Sequence, residues 1–109
     1  MATVGTRSEG GVSVISVRGE VDYETNRPLR QALDEAGTAP VPNIVLDLSA
    51  VTFLDSTSLN LFLIARRHAT EAGGWLRLAA PSAPVQRLLS IVGVDTVIGV
   101  YPTTAAALA

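Results

Sequence analysis

Four consecutive polar side chains, Asp55, Ser56, Thr57 and Ser58, stand between a short apolar segment and a strongly apolar helical pattern. Serine hydroxyls can act as nucleophiles, accept a phosphoryl group, or bond to the free N–H groups that begin a helix. Capping accounts well for one such residue, and it remains the structural alternative for Ser56. Four polar residues together at a predicted exposed corner indicate a further role.

Catalysis by Ser56 would require a base within hydrogen-bond reach, and His68 is the only histidine in the sequence. His68 follows Ser56 by twelve positions in the same predicted helix, which separates the two residues by about 18 Å. The Gly-x-Ser-x-Gly pattern is also absent around Ser56. We therefore predict no catalytic residues, and the chain is not expected to be an enzyme.

Metal and cofactor chemistry finds little support in the sequence. Glu20 and Asp22 share one predicted loop, but two acids without a nearby histidine do not indicate a metal site. A Walker-type phosphate loop and a dinucleotide fingerprint are both absent. No metal and no cofactor are therefore expected. The basic run Arg66–His68 is interpreted as a solvated face near a helix end, with an anionic partner as the alternative.

Composition sets the class of protein. The length of 109 residues suits one small domain, so residues 1–109 are expected to form a single domain. Hydrophobic residues make up 48%, enough for a packed core, and the net charge of −2 argues against nucleic acid as the main partner. The longest apolar run, Leu61–Ala65, is far shorter than the roughly 20 residues of a membrane span. A cytoplasmic protein without a membrane span is expected.

The elements that must position the polar corner follow a β-β-α-β-α-β-α-β pattern. The predicted strands are Thr3–Arg7, Val12–Arg18, Ile44–Leu48, Trp75–Ala80 and Val97–Tyr101. The first two form a hairpin around Gly10–Gly11, and Ile44–Leu48 is apolar enough to be a central parallel strand. Because such crossovers are right-handed, we predict a four- to five-stranded mixed α/β sheet with helices packed mainly on one face.

Three helices connect these strands. The first is expected to be capped by Thr25 or Asn26 and to end at Gly37, and the third is expected to lie between Ser82 and Gly93. The second follows Asp55, runs to about Ala72 and stops at the following glycine pair. Thr103–Ala109 is too short to be a stable helix unless it docks.

The second helix carries two apolar faces, which predict contact with the sheet on one side and with a neighbouring helix or a partner on the other. The first face consists of Leu59, Phe62, Leu63 and Arg66, and the second of Leu61, Ile64, Ala65 and His68.

The segments Asp47–Ser49 and Phe53–Thr57 resemble the signature of the STAS family, specifically of the bacterial anti-sigma factor antagonists. Gly19–Asp22 followed by Leu29–Leu33 is similar to a second block of the same family. The resemblance covers nearly the whole chain and implies a STAS-like fold with sequential β-α units. One departure is visible, because the family usually has glycine where this chain has Ser58.

The resemblance also implies a function. In the family, the serine directly after the acid is phosphorylated by a partner anti-sigma kinase, and that position is Ser56 here. Two neighbouring segments touch the partner in the family. The partner-contact residues implied in this chain are Asp22, Asp55, Ser56, Thr57, Ser58 and Asn60.

The implied partners are an anti-sigma factor, which is a Ser/Thr kinase of the histidine-kinase-like ATPase type, and a metal-dependent Ser/Thr phosphatase. The unphosphorylated protein would bind the anti-sigma factor and so release a sigma factor, and phosphorylation would end that binding. The alternative is a STAS scaffold that is never phosphorylated and belongs to a larger signalling or transport assembly.

Overall fold

A computed structural model describes residues 2–109, which form one five-stranded sheet and four α-helices. The strands are β1 (Thr3–Glu9), β2 (Val12–Val21), β3 (Asn43–Leu54), β4 (Trp75–Ala79) and β5 (Val100–Tyr101). The helices are α1 (Arg27–Ala36), α2 (Ser56–Glu71), α3 (Ala83–Ile91) and α4 (Thr104–Leu108), with a 3₁₀ turn at Val94–Thr96.

The strands lie in the sheet in their order along the chain. β1 pairs antiparallel with β2, and the pairs from β2 through β5 are parallel. The helices α1, α2 and α3 each connect two adjacent parallel strands. The predicted mixed sheet with sequential β-α units is therefore confirmed, and β3, which contains Ile44–Leu48, is its central strand.

Alternation along the strands builds two hydrophobic layers. In β3, Ile44 and Leu46 pack in the larger cluster, which includes Leu29 of α1 and Phe62 of α2, while Val45 belongs to a separate cluster. Successive side chains of a strand point to opposite faces, so this alternation separates the two layers. The prediction that helices pack mainly on one face is confirmed for α1, α2 and α3.

The second layer is covered by α4. Ala107 is fully buried in this helix, and Arg77 of β4 donates hydrogen bonds to the Ala107 carbonyl at 2.8 Å and the Ala109 carbonyl at 3.3 Å. The same guanidinium lies 3.8 Å from the centre of the Trp75 ring. Docking thus supplies the stabilisation that a helix of this length requires.

Several predicted strand bounds were wrong. β3 was expected to end at Leu48 and give way to a loop, yet it continues to Leu54, paired with a β2 that itself extends past Arg18 to Val21. The register shifts twice along this pair, and several side chains of the extension are exposed. An exposed, irregular extension lacks the hydrophobic alternation that marks a strand in sequence. The last strand is also shorter than predicted and begins at Val100.

Glycines lie at the C-cap of α1 and one residue beyond the C-caps of α2 and α3. After α2, Gly73 adopts a φ of +84°, and a Cβ on Gly74 would lie 1.8 Å from the Pro42 carbonyl oxygen. Gly73 therefore supplies a left-handed conformation and Gly74 a close backbone approach. Gly37 also caps α1, but in a right-handed conformation, whereas Gly93 lies one residue beyond the Val92 cap of α3 with a φ of +79°.

Candidate functional site

The predicted polar corner lies at the carboxyl ends of the parallel strands β2 and β3. Val21 pairs with Leu54, so the loop that follows β2 and the first turn of α2 are neighbours. We call this surface the Ser56 corner and define it as residues 20–24 and 53–57. Ligand and partner sites of open α/β sheets usually lie at this edge.

One carboxylate joins the two halves of the corner. Asp55 is the N-cap of α2, and its Oδ1 accepts from the Ser58 amide and the Ser58 hydroxyl, both at 2.8 Å. Its Oδ2 accepts from the Tyr23 amide at 2.9 Å, across 32 positions of sequence. The Asp55 amide also donates to the Val21 carbonyl at 3.2 Å. The carboxylate therefore caps the helix and fixes the β2 loop at the same time.

The ionised form of Asp55 is favoured by these bonds. Burial raises the pKa of the Asp55 carboxyl, but bonds from the Ser58 amide and hydroxyl, the Tyr23 amide and its own backbone N–H outweigh that effect. The pKa of Asp55 therefore lies below its ordinary value, as expected for a carboxylate that accepts several hydrogen bonds.

Ser58 was predicted to lie at an exposed corner and to contact a partner, and the prediction of exposure is wrong. Its side chain is fully buried, and its hydroxyl lies 3.1 Å from the Val21 carbonyl as well as 2.8 Å from Asp55 Oδ1. The third position of the helix turns inward against the end of β2. Ser58 thus positions Asp55 and leaves no surface for a partner.

Ser56 and Thr57 lie at the surface, as does Asn60 one turn further along α2. Within residues 2–109, the side-chain hydrogen bonds of this region involve Asp22, Thr25, Asp55 and Ser58 and leave the Ser56 hydroxyl unbonded. The N-cap of the helix is Asp55 rather than Ser56. The fold therefore does not use the Ser56 hydroxyl, and capping does not explain it.

Asp22 shapes the loop in which it lies. Its Oδ1 accepts from the amides of Glu24 and Thr25, both at 3.0 Å, and from the Thr25 hydroxyl at 2.9 Å. Such local bonds are typical of a carboxylate that organises a turn. Asp22 is half-buried, so one part of the carboxylate stays accessible at the corner.

Among residues 2–109, no group of three or more potential metal-ligating side chains of the His, Cys, Asp and Glu types is present.

The corner includes two aromatic residues that sequence reasoning left without a role. Tyr23 is 69% exposed in the β2 loop, and Phe53 is 50% exposed near the end of β3. Exposed aromatic side chains are the commonest anchors of protein interfaces. An aromatic residue in an otherwise polar loop was the available signal for Tyr23, whereas Phe53 lay in a segment that was expected to be a loop.

The corner is acidic. Glu20, Asp22, Glu24 and Asp55 contribute carboxylates, and the segments 19–26 and 49–65 contain neither lysine nor arginine.

His68 lies in the same continuous helix as Ser56, about 18 Å along its axis. Its Nε2 lies instead 3.2 Å from the Gly37 carbonyl, so the structure does not bring His68 to the corner. No helix in residues 2–109 has the length and hydropathy to cross a membrane.

Comparison with known families and proteins gives consistent matches. The family described as "Mlab, STAS domain" matches residues 4–100. The anti-sigma F factor antagonist of Paenibacillus polymyxa is 30% identical over 92 residues, which are 84% of this chain and 79% of that protein. The anti-sigma-F factor antagonist RsfB of Mycobacterium tuberculosis is 30% identical over 101 residues, 93% of this chain and 82% of that protein.

A solved structure extends the similarity to the whole fold. The crystal structure of an anti-sigma factor antagonist from Mycobacterium paratuberculosis superposes with a TM-score of 0.87 at 33% sequence identity. The match covers 99% of this chain and 92% of that one.

Removal of the charge of Asp55 tests the geometry of the site. In Asp55→Asn, the side chain keeps only one acceptor oxygen for hydrogen bonds that two oxygens accept in the wild type. The variant should therefore lose about 1 kcal/mol of unfolding free energy at pH 7. Because the folded-state pKa of Asp55 is lowered, its contribution is complete above the unfolded pKa of about 3.9 and is lost as pH falls through the folded value. Urea denaturation should therefore show a difference between wild type and variant that shrinks at acid pH. A difference that is the same at pH 7 and pH 2.5 would contradict this role of the charge.

Proposed function

The chain belongs to the STAS domain family, and from that premise we propose that it is an anti-sigma factor antagonist whose partner binding is controlled by phosphorylation of Ser56. The observation that carries the proposal is that the Ser56 hydroxyl is accessible and makes no hydrogen bond. It is exposed at the first position of α2 and unbonded, while Asp55 provides the cap. A modifying enzyme can therefore use this oxygen without breaking any contact of the fold.

The proposed reaction needs a kinase partner, because the sequence contains no phosphate-binding loop of its own. The anti-sigma factor would hold ATP in a histidine-kinase-like ATPase domain. The Ser56 oxygen would attack the γ-phosphorus, the hydroxyl proton would pass to a base of the partner, and ADP would leave. A Ser/Thr phosphatase would return the free hydroxyl by hydrolysis. Such a protein would work in the cytoplasm.

Electrostatics supports release of the phosphorylated form. A phosphoserine adds a charge of about −1.5 to −2 at neutral pH. At the start of α2 this charge lies close to free backbone N–H groups and the positive end of the helix dipole, so the fold should tolerate it. A partner that has just transferred the phosphoryl group, however, would face a dianion next to Asp55 with ADP still bound. Repulsion and the cost of desolvating these charges favour dissociation.

The surface offered to the anti-sigma factor combines polar and aromatic groups. Asp22, Ser56, Thr57 and Asn60 remain from the contact residues implied by the resemblance, and Asp55 takes part chiefly by holding the β2 loop against α2. Ser58 is left out because it is buried. We add Tyr23 and Phe53 as the apolar anchors of this surface.

Substitution of the acceptor should separate binding from modification. Ser56→Ala should abolish phosphate incorporation by the cognate anti-sigma kinase and ATP while partner binding is retained, since alanine removes the oxygen without adding charge. Intact mass measurement after incubation reports the phosphate. The matched control is Thr57→Ala, which removes the neighbouring exposed hydroxyl and should be phosphorylated as the wild type is. Phosphorylation of Ser56→Ala to the wild-type yield would show that the acceptor is another residue.

Truncation of the exposed tyrosine should test the extent of the contact surface. Tyr23→Ala should weaken binding of the unphosphorylated protein to the anti-sigma factor by about ten-fold or more, as loss of an aromatic anchor does. The free energy of unfolding should change by no more than about 0.5 kcal/mol, because the ring is mostly exposed. Titration calorimetry measures the affinity.

The matched control for Tyr23→Ala is Ile91→Ala, which truncates a side chain that is 75% exposed on α3. It should leave the affinity unchanged. Equal affinities of the two variants would place the contact surface away from the β2 loop.

A further inference from the structure

A second concave site lies between α1 and α2. This groove has a volume of about 360 Å³, which falls within the range of small-molecule sites. Its apolar lining residues are Leu33, Ile44, Leu61, Ile64 and Ala65. We call it the α1–α2 groove. Ile44 and Leu33 are buried core residues, so the groove reaches down to the core.

The apolar wall contributed by α2 is only partly covered in the fold, because Leu61 and Ala65 pack against the core while Ile64 does not. Phe62 is fully buried against the sheet, whereas Ile64 is 56% exposed at the groove. Leu61, Ala65 and His68 share this side of the helix, which is the second apolar face recognised in the sequence. Along α2 the groove runs from Leu61, about 7.5 Å along the helix axis from Ser56, to His68, about 18 Å from it. None of its lining residues belongs to the proposed contact with an anti-sigma factor.

Polar groups are placed unevenly around the groove. His68 of α2 and Gly37, which follows α1, both line the groove, and the His68 Nε2 lies 3.2 Å from the Gly37 carbonyl oxygen. Arg30 and Asp34 line the groove one helical turn apart on α1. Within residues 2–109, neither Arg30 nor Asp34 forms an ion pair or a side-chain hydrogen bond; the ion pair that is present joins Arg7 and Glu9. The Arg30 guanidinium is therefore available to a ligand.

We propose that the α1–α2 groove binds an amphipathic monoanion, namely a medium-chain aliphatic carboxylate. The aliphatic chain would lie along Leu33, Leu61 and Ile64, where its burial is favourable. The carboxylate would pair with Arg30, whose planar guanidinium suits a two-oxygen acceptor. The Asp34 carboxylate, one turn further along α1, repels the ligand head and so keeps it at Arg30.

Titration calorimetry of the full chain with octanoate, octanol and octylamine tests the site. Octanoate should bind most tightly, and Arg30→Gln should weaken its binding about five-fold while leaving octanol unaffected. The matched control Arg87→Gln removes an exposed arginine of α3 and should bind octanoate as the wild type does. Backbone amide NMR shifts induced by octanoate should include Ile64 and His68 and omit Ser56.

A second variant tests the groove by its volume. Ala65→Phe should fill the groove and remove the binding of all three compounds, and a cooperative thermal transition would show that the variant is folded. Three results would overturn the proposal: no octanoate binding to the wild type, octylamine or octanol binding as tightly as octanoate, or unchanged octanoate binding in folded Ala65→Phe. Since none of these measurements involves a kinase or Ser56, the outcome is independent of the proposed phosphorylation.

Discussion

The bidentate use of the Asp55 carboxylate is the interaction on which the Ser56 corner depends. One oxygen satisfies the first turn of α2 through Ser58, and the other holds the β2 loop through the Tyr23 amide. A carboxylate that only capped the start of α2 would leave the β2 loop free to move. Because one charged group serves both segments, the exposed Ser56 hydroxyl lies on a surface whose two halves are fixed relative to one another.

The same arrangement explains how a modification at this position can act on binding with little effect on folding. The fold uses the side chains of Asp55 and Ser58, whereas the hydroxyl of Ser56, which lies between them in sequence, makes no side-chain hydrogen bond. A phosphate added there gains from the helix start and does not displace a structural hydrogen bond. Its cost arises only when a partner covers the acidic corner. The residues that hold the surface and the residue proposed to alter it are thus adjacent but chemically separate.

Sequence reasoning succeeded where local physics decides the structure. The apolar run Ile44–Leu48 predicted a central strand, and the acid followed by hydroxyls predicted the start of α2 at Asp55, which is confirmed. It failed where tertiary contacts decide. The extension of β3 to Leu54 depends on pairing with β2, and Ser58 is buried because its hydroxyl meets the Val21 carbonyl 37 positions away in sequence. Neither contact has a local sequence signal. The exposure of Tyr23 likewise follows from the path of a loop that Asp55 fixes from a distance.

Hydrogen exchange of the Tyr23 amide tests the central role of Asp55 most directly. The Tyr23 residue is largely exposed, so protection of its amide must come chiefly from the bond to Asp55 Oδ2. Exchange monitored by NMR should be slow at the Tyr23 amide in the wild type and markedly faster in Asp55→Asn, where the remaining oxygen is retained by the cap at Ser58. Protection of the Ser58 amide should persist in both proteins. Equal exchange rates at the Tyr23 amide in the two proteins would contradict the claim that this carboxylate joins the loop to the helix.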